Sequence, residues 1–219
     1  MMLTLPLVAA PLLLSQAVWA RNIPPRHVSE PFDCGEVRVD SADTTFSGFF
    51  AADLDTERRY VVTSTTDQKR LLTRFENNTL FTLNSSGKNP TFGATFGFYW
   101  DTPPGRPNFA VSAQNYAYCN SVAASTVGDK PAKIAASINE AGTDPATGGK
   151  RDHESESAIF YLDPESGEIT SQWVNDDGSF VSAVFVINTQ RRINISGNLT
   201  RYFEEWEGTE AKVFCSGSA

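Results

Sequence analysis

Glu204-Glu205-Trp206-Glu207 gathers three carboxylates around an indole. Those are the residue types of glycoside hydrolysis, in which one carboxyl protonates the leaving oxygen and a second acts as base or nucleophile. On a strand, neighbouring side chains point to opposite faces, so at most Glu205 and Glu207 share a cleft. An acidic edge kept in solvent accounts for the run equally well. Asn175-Asp176-Asp177-Gly178 opens like a calcium loop but lacks the alternating acids and the distal glutamate that complete one, and is better read as a turn. Asp53 and Asp55 have no further ligand near them in sequence. Of the two histidines, His27 lies in a polar leader and His153 in a segment without large apolar residues. Neither is a base held in place for a serine or cysteine nucleophile. No phosphate loop, dinucleotide fingerprint or cysteine–histidine metal spacing occurs, so no metal or cofactor is expected. The aromatics leave binding open. Fifteen Phe, six Tyr and the tryptophans Trp100, Trp173 and Trp206 exceed what a minimal core demands. Tyr99, Trp173 and Trp206 are the candidates for contact with a glycan or a protein.

Strands must position these groups. In Thr91–Trp100, Phe92, Ala94, Phe96, Phe98 and Trp100 alternate with Thr91, Gly93, Thr95, Gly97 and Tyr99, and only a strand separates the two sets. The first face reads as core, the second as a flat polar surface suited to a sugar. Further strands are expected at Glu36–Val39, Phe46–Ala51, Arg59–Ser64, Leu71–Phe75, Thr79–Leu83 and Phe109–Ala113. Lys133–Ile138, Ala158–Leu162, Ile169–Val174, Phe180–Ile187, Arg192–Ser196 and Ala211–Phe214 continue the series. Asp163-Pro164-Glu165-Ser166-Gly167 and Asn175–Ser179 carry turn chemistry, which makes 158–187 a three-stranded meander. Asp129–Ala141 is the best helix candidate, with Pro131 near a first turn. Many short strands with little helix describe an all-β fold, an antiparallel β-sandwich or barrel.

The first twenty residues are uncharged and apolar, too short and proline-broken to span a bilayer, and end in Val18-Trp19-Ala20 before Arg21. That is the layout of a signal peptide. Residues 21–31 form an extended leader. Residues 32–219 then make one β-rich domain with a flexible exposed loop at 140–157, which presents the dibasic pair Lys150-Arg151. The net charge of −8 is spread along the chain. It argues against nucleic acid and anionic membrane as partners. Of Cys34, Cys119 and Cys215, two should pair in an oxidising compartment, and Cys34–Cys119 is the preferred pairing because both abut strand-like segments.

Ser155–Ser179 (SESAIFYLDPESGEITSQWVNDDGS) joins a strand ending in Asp-Pro, a Ser-Gly turn and a strand ending in Trp-Val-Asn. It resembles a stretch near the C-terminus of small secreted proteins of basidiomycete fungi, which are functionally uncharacterised, and implies a fungal secreted protein. The N-x-[ST] rule marks Asn77, Asn84, Asn194 and Asn198 as glycan acceptors. Period two in Arg192–Asn198 sends Ile193 and Ile195 inward and turns Asn194, Ser196 and Asn198 toward solvent. The chain is thus expected to be a secreted, extracellular, non-catalytic domain acting at the cell surface, wall or host interface on a glycan or protein. The alternative is a carboxylate-based hydrolase of polysaccharide. Expressed in a eukaryotic secretory host, the protein should enter the medium with Arg21 at or within a few residues of its N-terminus; Edman sequencing that finds Met1 in a membrane fraction would refute secretion.

Overall fold

Alternation of apolar and polar side chains builds the frame. In β1 (Phe32–Ser41), Val37 and Val39 are buried while Arg38 and Asp40 reach solvent, the pattern of a strand packed on one face. The computed structural model describes residues 30–64, 66, 68–97, 108–109, 116–140, 143 and 152–217. After β1 come β2 (Gly48–Phe50), β3 (Val62–Thr63), β4 (Leu72–Glu76) and β5 (Thr79–Thr82). They are followed by β6 (Thr91–Phe96), β7 (Tyr116–Val122), β8 (Ser155–Glu156) and β9 (Phe160–Leu162). The last four are β10 (Glu168–Val174), β11 (Phe180–Asn188), β12 (Ile193–Ser196) and β13 (Gly208–Cys215), with one helix, α1 (Leu199–Glu205), before β13.

Eight strands pair antiparallel in the order β1-β4-β5-β6-β7-β12-β11-β13, and β13 pairs back with β1, where Val39 faces Val213. The ring is a closed antiparallel β-barrel, which leaves its own strands no open edge. β2 and β3 extend from β1, β9 and β10 from the β11–β13 side, and β8 lies on β6. The meander expected over 158–187 is present as β9, β10 and β11 in consecutive antiparallel pairing. Its turns work as read: Asp163 Oδ1 accepts from Glu165 N at 3.0 Å, Asp177 Oδ1 accepts from Ser179 N at 2.8 Å, and Gly167 and Gly178 take φ of 73° and 85°.

The barrel interior is aromatic and aliphatic. Phe92 packs against Phe50, Tyr60 and Phe160 with ring centroids 4.9, 5.0 and 5.4 Å apart, and Ile193, Ile195, Phe185, Val213 and Leu80 fill the space around them. A second layer covers the outside of one wall. Every residue of β6, β7 and β12 is buried, on both faces. Tyr116, Tyr118 and Val122 point outward from β7 and meet Ala136 and Ile138 from the segment that follows it and Tyr202 from α1. Asn120 and Thr95 bond each other there: Asn120 Nδ2 donates to Thr95 Oγ1 at 2.8 Å, and Thr95 Oγ1 lies 2.8 Å from Ser155 Oγ.

That second layer corrects several expectations. The polar face of Thr91–Trp100 is no sugar platform: Thr91, Gly93, Thr95 and Gly97 are buried, and Tyr99 lies outside the described residues. The solvent-facing row on β12 is likewise overturned, because Asn194 and Ser196 lie beneath α1 and are 1% and 0% exposed. The expected loop ends early, since Ser155 and Glu156 pair with β6 and Ser157 is buried; Lys150-Arg151 lies outside the described residues. Asp129–Ala141 yields only a 3-10 turn at Ser137–Glu140. The helix is instead α1, where Asn198 Oδ1 caps the backbone N–H of Arg201 at 3.1 Å. α1 buries one residue, Tyr202, so it has no apolar stripe to read. Strand β7 went unread.

The disulfide joins Cys34 to Cys215, with Cα atoms 4.7 Å apart, and not Cys34 to Cys119. The barrel seam dictates this, because β1 and β13 are neighbours there and Gly217 N donates to Cys34 O. Cys119 is buried in the interior, and burial pushes its thiol well above the usual range. A staple with a sequence separation of 181 removes about 5 kcal/mol of unfolded-chain entropy in the loop-closure model.

Glu156 is 2% exposed; its Oε2 accepts from Val174 N at 3.2 Å and its Oε1 has no partner. Burial raises its pKa from the ordinary 4.5 to about 9. Between those values the unfolded chain has released this proton and the fold has kept it, so stability falls as pH rises through the window. Glu156→Gln, which is neutral throughout, should raise the melting temperature at pH near 8 far more than at pH near 4.5. Equal effects at the two values in thermal denaturation would disprove a neutral Glu156.

Candidate functional site

The unread strand supplies the site. Tyr116 and Tyr118 share the outward face of β7, their hydroxyls 2.8 Å apart and their rings edge to face. Across the ladder Tyr118 is registered with Asn194 on β12, and Asn194 Nδ2 donates to the Tyr202 hydroxyl on α1 at 2.9 Å. Tyr116 also meets the Tyr202 and Trp206 rings edge-on at 5.5 and 5.8 Å. Strand pairing and the helix docked on it therefore bring three phenols, an amide and an indole to one place. They line a pocket of about 460 Å³ with Arg59, Arg192, Glu57, Glu207 and the Asn188–Gln190 stretch. The volume lies within the usual range for small-molecule sites.

The charges in its wall hold one another. The Arg59 guanidinium lies 4.0 Å above the Tyr118 ring and engages Glu57 Oε2. Arg192 donates through Nε to Asp55 Oδ2 at 2.6 Å, through one terminal nitrogen to Glu57 Oε1 at 3.2 Å, and through the other to Gln190 Oε1. Both Glu57 oxygens are thus tied to guanidinium groups. Among the described residues, two buried atoms in the wall have no hydrogen-bond partner: Asn194 Oδ1, an acceptor, and Arg59 Nε, a donor. A buried polar atom left unpaired costs about 1–3 kcal/mol. Burial pushes Tyr202 up to about 12, a tendency its bond to Asn194 partly offsets, and drives Tyr116 far above the usual phenol range. Both remain neutral hydroxyls, able to donate and accept across the ordinary extracellular pH range.

Of the binding candidates read from sequence, Trp206 is in this site, 37% exposed at its rim just beyond α1. Trp173 is not: it is 0% exposed, stacked at 4.9 Å on Phe109 and 5.9 Å from Phe96 in the core. Glu205 and Glu207 do not share a strand face. Glu205 closes α1, and only Glu207 lines the pocket. Asp55, set aside in the sequence, is the anchor of Arg192. Tyr116, Tyr118, Tyr202, Arg59 and Arg192 were missed. Tyr116-Ala117-Tyr118-Cys119 does alternate large with small, a signal that β-propensity could have exposed.

The glycan acceptors also divide. Asn77 stands exposed at the β4–β5 turn with φ of 48°. Asn84 spends Oδ1 on Leu72 N and Nδ2 on Arg70 O, both at 2.8 Å. Asn198 is half-buried and uses Oδ1 for the helix cap. Asn194 is buried, with Nδ2 on Tyr202, and has no room for a glycan.

Among the described residues no group of three or more His, Cys, Asp and Glu is placed to hold a metal ion, and no helix is long and apolar enough to cross a membrane. Comparison with protein-family models, with curated proteins and with solved structures finds no match to this chain. Deglycosylation in heavy-oxygen water followed by peptide mapping should mark Asn77 and Asn198 and leave Asn194 unlabelled; a labelled Asn194 in folded, secreted protein would contradict its burial under α1.

Proposed function

We propose that this chain is a secreted, non-catalytic domain that binds a neutral glycan in the Tyr116–Tyr118–Tyr202–Trp206 pocket, at the cell surface, wall or host interface. The observation that carries the proposal is the pairing, in one pocket, of a rim indole with buried, neutral hydrogen-bonding groups. Sugars present hydroxyls that donate and accept, together with a C–H face that packs on aromatic rings. Here the phenols answer the first demand and Trp206 the second. Asn194 Oδ1 and Arg59 Nε add an unpaired acceptor and an unpaired donor. A small adjustment that brings either to a ligand hydroxyl would relieve its desolvation cost on binding.

The charge balance favours a neutral ligand. Arg59 and Arg192 are met by Glu57 and Asp55, and Glu207 is near. An anionic ligand would have to displace a carboxylate from its guanidinium. The same pairing weighs against the hydrolase alternative: Glu57 is an anchor of the wall, both oxygens engaged, which leaves Glu207 without a free second carboxyl in the pocket. Secretion fits the Cys34–Cys215 disulfide, a bond that persists in oxidising compartments.

A glycan array of neutral oligosaccharides, followed by titration monitored through tryptophan fluorescence, tests the proposal. The expected result is a bound ligand whose affinity falls about tenfold or more in Trp206→Ala, with the fold unchanged by circular dichroism. Release of reducing sugar during the titration would favour the hydrolase; binding that survives Trp206→Ala and Tyr118→Phe together would place the ligand elsewhere.

A further inference from the structure

Resting on the glycan reading of the first pocket, a second depression beside it bears on the length of the ligand. It has a volume of about 260 Å³ and is lined by Val61, Val62, Thr63, Ser64, Gln68, Gln190 and Arg191. Gln190 belongs to both walls. The link is built into the backbone. Val61 bridges to Arg192, and the turn between β11 and β12 carries Gln190 between the two hollows. Consecutive arginines then part ways. Arg192 runs into the first pocket and anchors on Asp55, while Arg191, with φ of 60°, borders the second.

We propose that the ligand is a linear neutral oligosaccharide that occupies both hollows, with one end held against Trp206 and the chain crossing Gln190 to reach Ser64 and Gln68. Three features fit a sugar chain there. The lining alternates short apolar surface, Val61 and Val62, with neutral hydrogen-bonding side chains, Thr63, Ser64, Gln68 and Gln190. Arg191 is tied down rather than presented: Nε donates to Val62 O at 2.7 Å, one terminal nitrogen to Ser47 O at 3.2 Å and the other to Thr45 O. It rigidifies the floor. Gln190 gives its Oε1 to Arg192, which orients the amide and leaves Nε2 to donate to a sugar hydroxyl at the crossing. Gln190 lines both hollows, which puts the crossing at its side chain.

Each hollow that takes a ring adds contact surface within one molecule, so affinity should climb with chain length until both are filled. The test is calorimetric titration of the full secreted chain with laminari-, cello- and chito-oligosaccharides, each from the disaccharide to the hexasaccharide. In the series that binds, affinity should rise about tenfold or more between the disaccharide and the longer members and then level off. Ser64→Trp, which fills the second hollow, should bring the long members down to the affinity of the disaccharide and leave the disaccharide itself unchanged. Gln68→Ala, a milder change at an exposed position, should remove part of the same gain. Wild-type protein that binds every length equally, or a length gain that survives both variants, would overturn the two-hollow ligand and leave the first pocket standing. Absence of binding for all three series in the wild type would overturn both.

Discussion

Closure of the ring between β1 and β13 is the constraint on which the rest of this molecule depends. β1 does three jobs along ten residues: its first half pairs with β4, its second half pairs with β13, and Arg38 and Val39 also pair with β2. The β1–β4 pairing carries an irregularity between Asp33 and Gly35, where Gly35 takes φ of 61°, a conformation glycine adopts without strain. Open this seam and two long strands gain unpaired edges, the interior loses its closed wall, and the sheet that carries β7 and β12 loses its curvature. The Cys34–Cys215 bond lies at the seam and makes the closure covalent.

Among the described residues, the core of the closed barrel is packed with stacked phenylalanines and Trp173. The proposed binding site lies on the outside of the wall. There the second layer matters: α1 and the segment ending at Ile138 bury the outward side chains of β7 and β12. Burial converts ordinary phenols and an amide into fixed hydrogen-bonding groups in a poorly solvated setting, where each bond made to a ligand counts for more. The acids and guanidiniums of Asp55, Glu57, Arg59 and Arg192 form a mutually neutralised rim that also ties the β11–β12 turn to the 55–59 segment.

What could be read from the residues, and what could not, follows from the same layering. The two turns of the meander were legible because their chemistry is local: a side chain bonds a backbone group two residues on, and no distant partner intervenes. The all-β class was legible from period two. Period two also placed Ile193 and Ile195 correctly inside, yet it misjudged Asn194, because polarity on a strand face does not distinguish water from a covering helix that offers a hydroxyl. β7 escaped for a related reason. It is buried on both faces, with polar Asn120 and Ser121 satisfied by Thr95, Ser137 and Asn89, and so lacks the contrast that alternation relies on. The cysteine pairing depends on which strands close the ring, a fact of topology with no trace in local spacing. Trp206 and Glu207 were found together, as an exposed-type aromatic among acids, not through the helix that holds Trp206.

The sulfur bridge also decides how the domain responds to force. Cys34 near the start of β1 and Cys215 at the end of β13 sit together at one corner of the barrel, bonded to each other. A pull applied between Cys34 and Cys215 runs from backbone to backbone through the bridge, and the ladders between them, the second layer and the pocket stay outside the load path. Loaded between those two residues, the domain would act as an inextensible link, and the proposed pocket would be insensitive to tension. Reduction of that single bond would turn the same pull into a peeling load on β1 and β13, the pairing that unzips strand by strand.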